Sequence, residues 1–98
     1  MIVRIVQLSI IPSQVEAFTK LYTASMEIIR SSPGCLELSL LGDVVTPNCV
    51  TTLSKWKDLE ALEAYRRSDF FRATWADAKR MFDEKARAYS YTVISTTN

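Results

Sequence analysis

The chain has 98 residues, of which 48% are hydrophobic and 23% charged, and its formal net charge is +1. This composition excludes an intrinsically disordered chain and leaves room for one folded domain over residues 1–98. A near-neutral charge does not attract nucleic acid or anionic membranes, and no apolar run approaches the roughly 20 residues that span a bilayer. We therefore expect a cytoplasmic protein that binds neither nucleic acid nor membranes.

Residue types that are scarce in the sequence restrict its chemistry. There is no histidine, which excludes nucleophile pairs built on imidazole and haem ligation by imidazole. Two cysteines, Cys35 and Cys49, are too few for a disulfide framework, and a Cys/His zinc site cannot be assembled. We interpret both as small buried hydrophobic residues and predict no metal site.

The first predicted elements are a strand and a helix. Residues 2–11 alternate with apolar side chains on both faces, which predicts a strand buried on two sides. Pro12 ends this strand, and Ser13 with Glu16 matches a capping box that predicts a helix starting there. Spacing along this helix predicts one buried face, made of Val15, Phe18, Tyr22, Ser25, Met26 and Ile29.

A hairpin is predicted next. Pro33 and Gly34 break the helix, and residues 35–40 and 49–56 read as two strands joined by a turn-rich loop. Antiparallel pairing about that loop should keep the two thiols apart. The expected neighbours across the hairpin are Cys49 with Leu40, and Cys35 with Ser54.

Two helices and a fourth strand complete the pattern. Asp58 is predicted to cap a helix bearing Leu59, Leu62 and Tyr65, and Ser68 with Asp69 to open a second helix. The buried set of that second helix is predicted to be Phe71, Trp75, Ala78 and Phe82. Residues 89–95 read as a strand with Tyr89 and Tyr91 on one face, which suits a subunit interface.

The order βαββαβ predicts a ferredoxin-like α+β fold with a four-stranded antiparallel sheet and the helices on one face. The first strand is apolar on both sides, yet a chain of this length has no second layer for the other face. We expect a second copy of the chain to cover it, giving a homodimer.

Several segments resemble the antibiotic-biosynthesis-monooxygenase family of the dimeric α+β barrel superfamily. They are Pro33-Gly34-Cys35, Ser54-Lys55-Trp56, Leu59-Glu60-Ala61-Leu62, Tyr65-Arg66-Arg67-Ser68-Asp69-Phe70-Phe71 and Ala88-Tyr89-Ser90-Tyr91. The resemblance implies a barrel of two chains packed sheet to sheet. It also implies a monooxygenase that oxidises a phenolic, quinol or polyketide-like substrate without metal, flavin or other cofactor.

The haem-degrading branch of the superfamily uses an Asn, a Trp and a His at three positions. Alignment with the present sequence puts Val6, Tyr65 and Trp75 there, so the resemblance does not extend to haem cleavage.

The resemblance places a cavity between the sheet and the helices, with room for a small aromatic substrate. Arg66 and Lys79 are candidates for stabilising a substrate anion, and Asp69 for accepting a proton. Each of these residues also fits an ordinary core or solvent-exposed role. The candidate pocket residues are Tyr22, Met26, Tyr65, Arg66, Phe71, Trp75 and Lys79.

Three alternative functions share features with this sequence. A non-catalytic, ligand-binding or stress-associated dimer fits the lack of histidine and of any residue set with a unique catalytic role. An RNA-recognition domain shares the element order, but the first strand lacks aromatic residues and the third lacks a basic, glycine-containing motif. A metal chaperone of this fold would carry a CxxC motif, which the sequence does not contain.

Overall fold

The computed structural model describes residues 1–97 and confirms the predicted order of elements. A 3-10 turn, Pro12–Gln14, precedes the first helix. The strands are β1 (Ile2–Ser9), β2 (Cys35–Gly42), β3 (Cys49–Trp56) and β4 (Arg87–Thr92). The helices are α1 (Val15–Arg30), α2 (Leu59–Arg66) and α3 (Asp69–Lys79).

The four strands form one antiparallel sheet in the order β2-β3-β1-β4. This is the predicted ferredoxin-like arrangement, in which β1 lies at the centre between β3 and β4. Arg4 of β1 is the cross-strand partner of Ser54 on one side and of Ser90 on the other. Among residues 1–97, no helix combines the length and apolarity that crossing a membrane requires.

The inner face of the sheet packs against the helices and contains the core. Two groups of buried residues flank the space between sheet and helices. The larger group is Leu8, Ile10, Phe18, Val50 and Ala78, and the smaller is Cys35, Trp56 and Leu62. Because the groups are separate, the middle of this layer is only partly filled.

The start of α1 differs from the prediction. The helix begins at Val15 rather than at Ser13, and its N-cap residue, Gln14, makes no side-chain capping bond within the described chain. Pro12 opens a 3-10 turn instead, in which the Gln14 amide donates to the Ile11 carbonyl at 2.7 Å. Ser13 lies within that turn and therefore does not occupy the N-cap position that a capping box requires. By contrast, Asp58 and Ser68 cap α2 and α3 as predicted.

Strand limits also differ. β1 ends at Ser9, and Ile10 forms an isolated bridge with Phe82, which lies beyond α3 rather than within it. β4 covers Arg87–Thr92 instead of residues 89–95. The bridge brings the segment that follows α3 back beside the end of β1.

The predicted pairing of the β2–β3 hairpin was wrong by three residues along most of its length and by two residues at Cys35. The offset arises at the turn, where Gly42 pairs with Val50, while Cys49 pairs with Ser9 of β1. A bulge between Cys35 and Glu37 then changes the register by one residue, so that Cys35 lies opposite Trp56. Leu38 faces Ser54, and Leu40 faces Thr52. Both thiols are free, as expected, although only Cys35 is fully buried and Cys49 is half-buried.

Candidate functional site

A cavity of about 270 Å³ lies between the inner face of the sheet and the three helices. This volume is near the lower end of the range for small-molecule sites, about 300 Å³ and above. Strand residues at its wall are Arg4, Val6, Leu8, Leu38, Thr52, Ser54, Trp56 and Ala88. Helix and loop residues are Phe18, Tyr22, Ile29, Leu62, Tyr65, Arg66, Phe71, Thr74, Trp75, Ala78 and Ala86.

Aromatic rings form a continuous series along this cavity. Tyr65 stacks on Trp56 with ring centroids 5.1 Å apart and meets the edge of Phe71 at the same distance. Phe71 is nearly parallel to Trp75 at 5.9 Å, and Trp75 contacts Phe82 edge to face at 5.5 Å. Such spacings are favourable for aromatic pairs, and together they produce a stiff wall suited to a flat ring.

Arg4 provides a positive charge at one end of the cavity. It alternates with Val6 and Leu8 on the inner face of β1, and its Nη1 donates to Ser90 Oγ at 2.9 Å. In the described part of the chain, no carboxylate oxygen lies within 4.0 Å of this guanidinium. A half-buried arginine without an ion-pair partner favours binding of an anion.

Arg66 lies at the same end and is more exposed. Its Nη1 is 3.4 Å from Glu63 Oε1, a surface-type ion pair. Burial lowers the pKa of the Arg4 guanidinium, the charge of Arg66 lowers it further, and Glu63 partly opposes this. The two arginines therefore influence each other, and because the Glu63 carboxylate pairs with Arg66, this end retains one net positive charge.

Tyr22 and Tyr65 remain protonated at neutral pH. Burial raises the pKa of Tyr65 to about 12, with a smaller contribution from Cys35. Burial also raises the pKa of Tyr22 far above its usual range, and a bond with the Thr52 hydroxyl only partly opposes this. Both phenols can donate hydrogen bonds to a ligand, but neither is suited to act as a base.

Ser54 brings a hydroxyl to the positive end. The indole Nε1 of Trp56 donates to Ser54 Oγ at 2.9 Å, so this oxygen acts as an acceptor inside the fold. A serine hydroxyl also carries one donor proton, which can rotate toward a ligand. Ser54 lies opposite Arg4 in the pairing of β1 with β3, so the two groups can serve one anion.

The sequence-based candidates divide into two groups. Tyr22, Tyr65, Arg66, Phe71 and Trp75 all line the cavity. The other candidates, Met26, Lys79 and Asp69, are not part of its wall.

These three candidates lie elsewhere on the fold. Met26 is half-buried on α1, and Asp69 is exposed at the first position of α3. Lys79 borders a separate shallow depression beside Trp75 and Phe82.

Sequence reasoning missed the polar residues contributed by the sheet. Arg4, Thr52 and Ser54 line the cavity but were not candidates. Arg4 could have been found from the sequence. It occupies the same face of the first strand as Ile2, Val6 and Leu8, and it is the one charged residue on that otherwise apolar face. Within the described residues, no cluster of three or more Cys, Asp or Glu side chains is arranged to hold a metal ion.

Comparison with protein families matches residues 1–77 to the antibiotic biosynthesis monooxygenase model. The match covers more than half of the chain, which therefore belongs to the antibiotic biosynthesis monooxygenase family. A comparison with curated protein sequences gives no significant match.

Solved structures share the fold at low sequence identity. A conserved protein from Methanosarcina mazei superposes with a TM-score of 0.87 at 24% identity, covering 93% of this chain and 91% of that one. A Mycobacterium tuberculosis protein gives 0.90 at 14% identity, covering 99% and 98%. A variant of SnoaB, a cofactor-independent oxygenase from Streptomyces nogalater, gives 0.84 at 13%, covering 97% and 94%.

Proposed function

We propose that this protein is a cofactor-independent monooxygenase and that its substrate is a phenolic, quinol or polyketide-like ring bound in the cavity. The observation that carries the proposal is the combination of an aromatic wall with Arg4 and Arg66 at one end. Family membership and the likeness to SnoaB in fold are consistent with it.

In this proposal, the substrate ring packs against the wall formed by Tyr65, Phe71 and Trp75, which shields the reacting carbon from water on that side. Arg4 contacts the substrate oxygen and stabilises its anion, because the guanidinium has no competing carboxylate within 4.0 Å in residues 1–97. A bound phenolate or enolate is electron-rich enough to reduce oxygen, whereas the neutral phenol is not. Lowering the substrate pKa is thus the main catalytic contribution of the protein.

The proposed reaction balances without a further reductant. In the keto tautomer of the phenolic substrate, a ring CH₂ loses a proton to solvent, and the resulting phenolate passes one electron to O₂. The substrate radical and superoxide then join through a new carbon–oxygen bond, and the peroxide takes up a proton. Loss of water breaks the O–O bond and removes the remaining hydrogen from carbon. A CH₂ group and O₂ thereby give C=O and H₂O.

A non-catalytic ligand-binding protein is the second candidate. The observation that favours it is the set of ionisable groups at the cavity wall, which consists of Arg4, Arg66, Tyr22 and Tyr65. Two of these are permanent cations, and the other two hold their protons tightly, so the described wall supplies no general base. Such a site can bind an anion without transforming it.

Oxygen uptake in the presence of a panel of quinols and hydroxylated naphthalenes separates the two candidates. The monooxygenase proposal expects turnover above the protein-free blank, a large reduction in Arg4→Gln and in Trp75→Leu, and wild-type rates in Arg72→Gln. Arg72 is an exposed arginine of α3 outside the cavity wall, which makes it a matched control. Uptake equal to the blank for every substrate would support the binding protein instead.

We also propose that the working unit is a homodimer joined through the outer face of the sheet. Val3 and Ile5 of β1, Leu53 of β3, and Tyr89 and Tyr91 of β4 share this face. The two tyrosines stack on each other at 6.4 Å, and Tyr91 is 52% exposed. A second copy would bury this apolar surface.

Sedimentation equilibrium tests the assembly. Wild type should sediment as a dimer at micromolar concentration, and Ile5→Glu should shift the population toward monomer because it buries a charge in the interface. The matched control is Ile28→Glu, on the exposed side of α1, which should remain dimeric. A monomeric wild type would contradict the proposal.

A further inference from the structure

We propose that the ligand of this cavity is an aromatic carboxylic acid, and that its carboxylate lies between Arg4 and Arg66 with its ring against Tyr65, Phe71 and Trp75. The inference rests on the proposed function insofar as that function places the ligand in the same cavity. It goes further by assigning the chemical class of the ligand.

Charge balance at the polar end indicates a monoanion. Arg4 and Arg66 contribute two positive charges, and Glu63, paired with Arg66 at 3.4 Å, contributes one negative charge. The remaining single charge is matched by one carboxylate. A phosphate carries more negative charge than the one positive charge that remains after Glu63 has paired with Arg66. Part of the phosphate charge would therefore have no positive partner at this site.

The donors at this end suit an acceptor with two oxygens. A guanidinium presents a planar fork that matches a carboxylate, and two such groups border the cavity here. Arg4 already gives Nη1 to Ser90, which leaves its other N–H groups available for the carboxylate and for the ring oxygen that the proposed reaction ionises. The hydroxyl proton of Ser54, whose oxygen is occupied by the Trp56 indole, adds a third donor opposite Arg4.

Ionisation distinguishes a carboxylic acid from a plain phenol. A phenol ionises near pH 10 and a carboxylic acid near pH 4, judged from the side chains of Tyr and Asp. The wall described above supplies cations but no carboxylate or imidazole to take a proton. A carboxylate that arrives already ionised can therefore bind here without a proton acceptor, and only the ring oxygen has to ionise in the reaction proposed above.

The volume of the cavity limits the size of the ring system that the ligand can carry. At about 270 Å³, it accommodates one or two fused rings, and a larger ring system would extend out of the mouth. The wall residues that are exposed are Arg66 and Ala88, so the cavity opens to solvent at its polar end. The carboxylate can thus sit near solvent while the rings enter the apolar interior.

Isothermal titration calorimetry with 2-naphthoate and the uncharged 2-naphthamide tests this assignment. Wild type should bind the acid about tenfold tighter than the amide, or more, because only the acid forms charge-assisted bonds. Arg4→Gln should bring the two affinities close together, and Arg72→Gln should leave the difference intact. Equal affinities in wild type, a difference that survives Arg4→Gln, or no binding of either probe would overturn the inference.

Failure of this inference is distinguishable from failure of the proposed oxygenase. Selective binding of 2-naphthoate by a protein without oxygen uptake would retain the ligand class and reject the reaction. Turnover of uncharged quinols, combined with equal affinity for the two naphthyl probes, would retain the reaction and reject the ligand class. Thermal unfolding of each variant confirms that the fold persists during both measurements.

Discussion

Trp56 and Ser54 are two residues apart on the inner face of β3, and the indole Nε1 of Trp56 donates a hydrogen bond to Ser54 Oγ at 2.9 Å. Trp56 is fully buried, so its N–H has no access to water. The bond therefore fixes the ring at the base of the aromatic series and satisfies the one polar atom of its side chain.

Replacing Ser54 with alanine should destabilise the protein, because it leaves the Trp56 N–H buried and unpaired. We expect the free energy of unfolding to fall by about 1 to 3 kcal/mol. Urea denaturation at fixed protein concentration measures this. Ser13→Ala is the control and should change stability by less than about 0.5 kcal/mol, since Ser13 is exposed and caps no helix. Equal losses in the two variants would contradict this interpretation.

Gly34→Ala should be among the more damaging small substitutions. Gly34 has φ of +84°, and an added Cβ would lie 2.5 Å from Ala61 Cβ on α2. Backbone strain of this type costs about 1 to 3 kcal/mol, before the collision with α2 is counted. The midpoint of thermal or urea unfolding reports the effect.

The control for that experiment is Gly42→Ala, at the end of β2. An added Cβ there meets no atom within 4 Å, and the backbone is compatible with alanine. Gly42→Ala should thus be neutral or slightly stabilising, by up to about 1 kcal/mol. If the two variants behaved alike, the proximity of Gly34 to α2 would be wrong.

Leu62→Ala should cost about 2 to 5 kcal/mol, because Leu62 is 2% exposed and packs with Cys35 and Trp56. Leu59 lies on the same helix but is 53% exposed, so Leu59→Ala provides a matched comparison with a loss below about 1 kcal/mol. Chemical denaturation gives both values. A similar loss in both variants would show that α2 is turned differently on the sheet.

Alkaline stability should depend on Tyr65. Its pKa in the folded state is about 12, above the usual 10.0, so the folded protein holds this proton more tightly than the unfolded chain. The resulting stabilisation is complete below pH 10 and is lost as the pH rises toward 12. Tyr65→Phe has no proton to lose and should show a shallower decline in unfolding free energy across that interval.

Unfolding of wild type and Tyr65→Phe by urea, measured at several pH values, tests this prediction. The difference in unfolding free energy between the two proteins near neutral pH, where Tyr65 keeps its proton, gives the effect of losing the hydroxyl itself. Subtracting this difference leaves the effect of ionisation. Parallel declines above pH 10 would indicate that Tyr65 is more accessible to solvent than its contacts with Trp56 and Phe71 suggest.

The predictions that succeeded rest on local or periodic signals. Asp58 and Ser68 were identified as helix caps because a cap depends on a few adjacent residues. The order of elements followed from alternation and helical spacing. The Ser13 capping box failed because Pro12 favoured a 3-10 turn, a local competition that the motif does not reveal.

Other features depend on contacts that are distant in sequence. The register of β2 on β3 could not be derived, since pairing starts at Gly42 and Val50 rather than at Leu40 and Cys49, and the turn composition does not reveal which pair closes the loop. Phe82 was assigned to a helix on spacing alone, but its bridge to Ile10 holds it at the sheet edge. Five cavity residues were predicted from helix positions and family likeness, whereas Arg4 and Ser54 required knowledge of which face of the sheet meets the helices.

The bulge in β2 also has a consequence for aggregation. β2 and β4 form the two edges of the sheet, and each exposes backbone groups to which a foreign strand could add. A bulge twists its strand and interrupts the regular donor and acceptor row, which makes the β2 edge a poor template near Cys35. The β4 pairing is regular throughout, so unwanted strand addition should begin at β4.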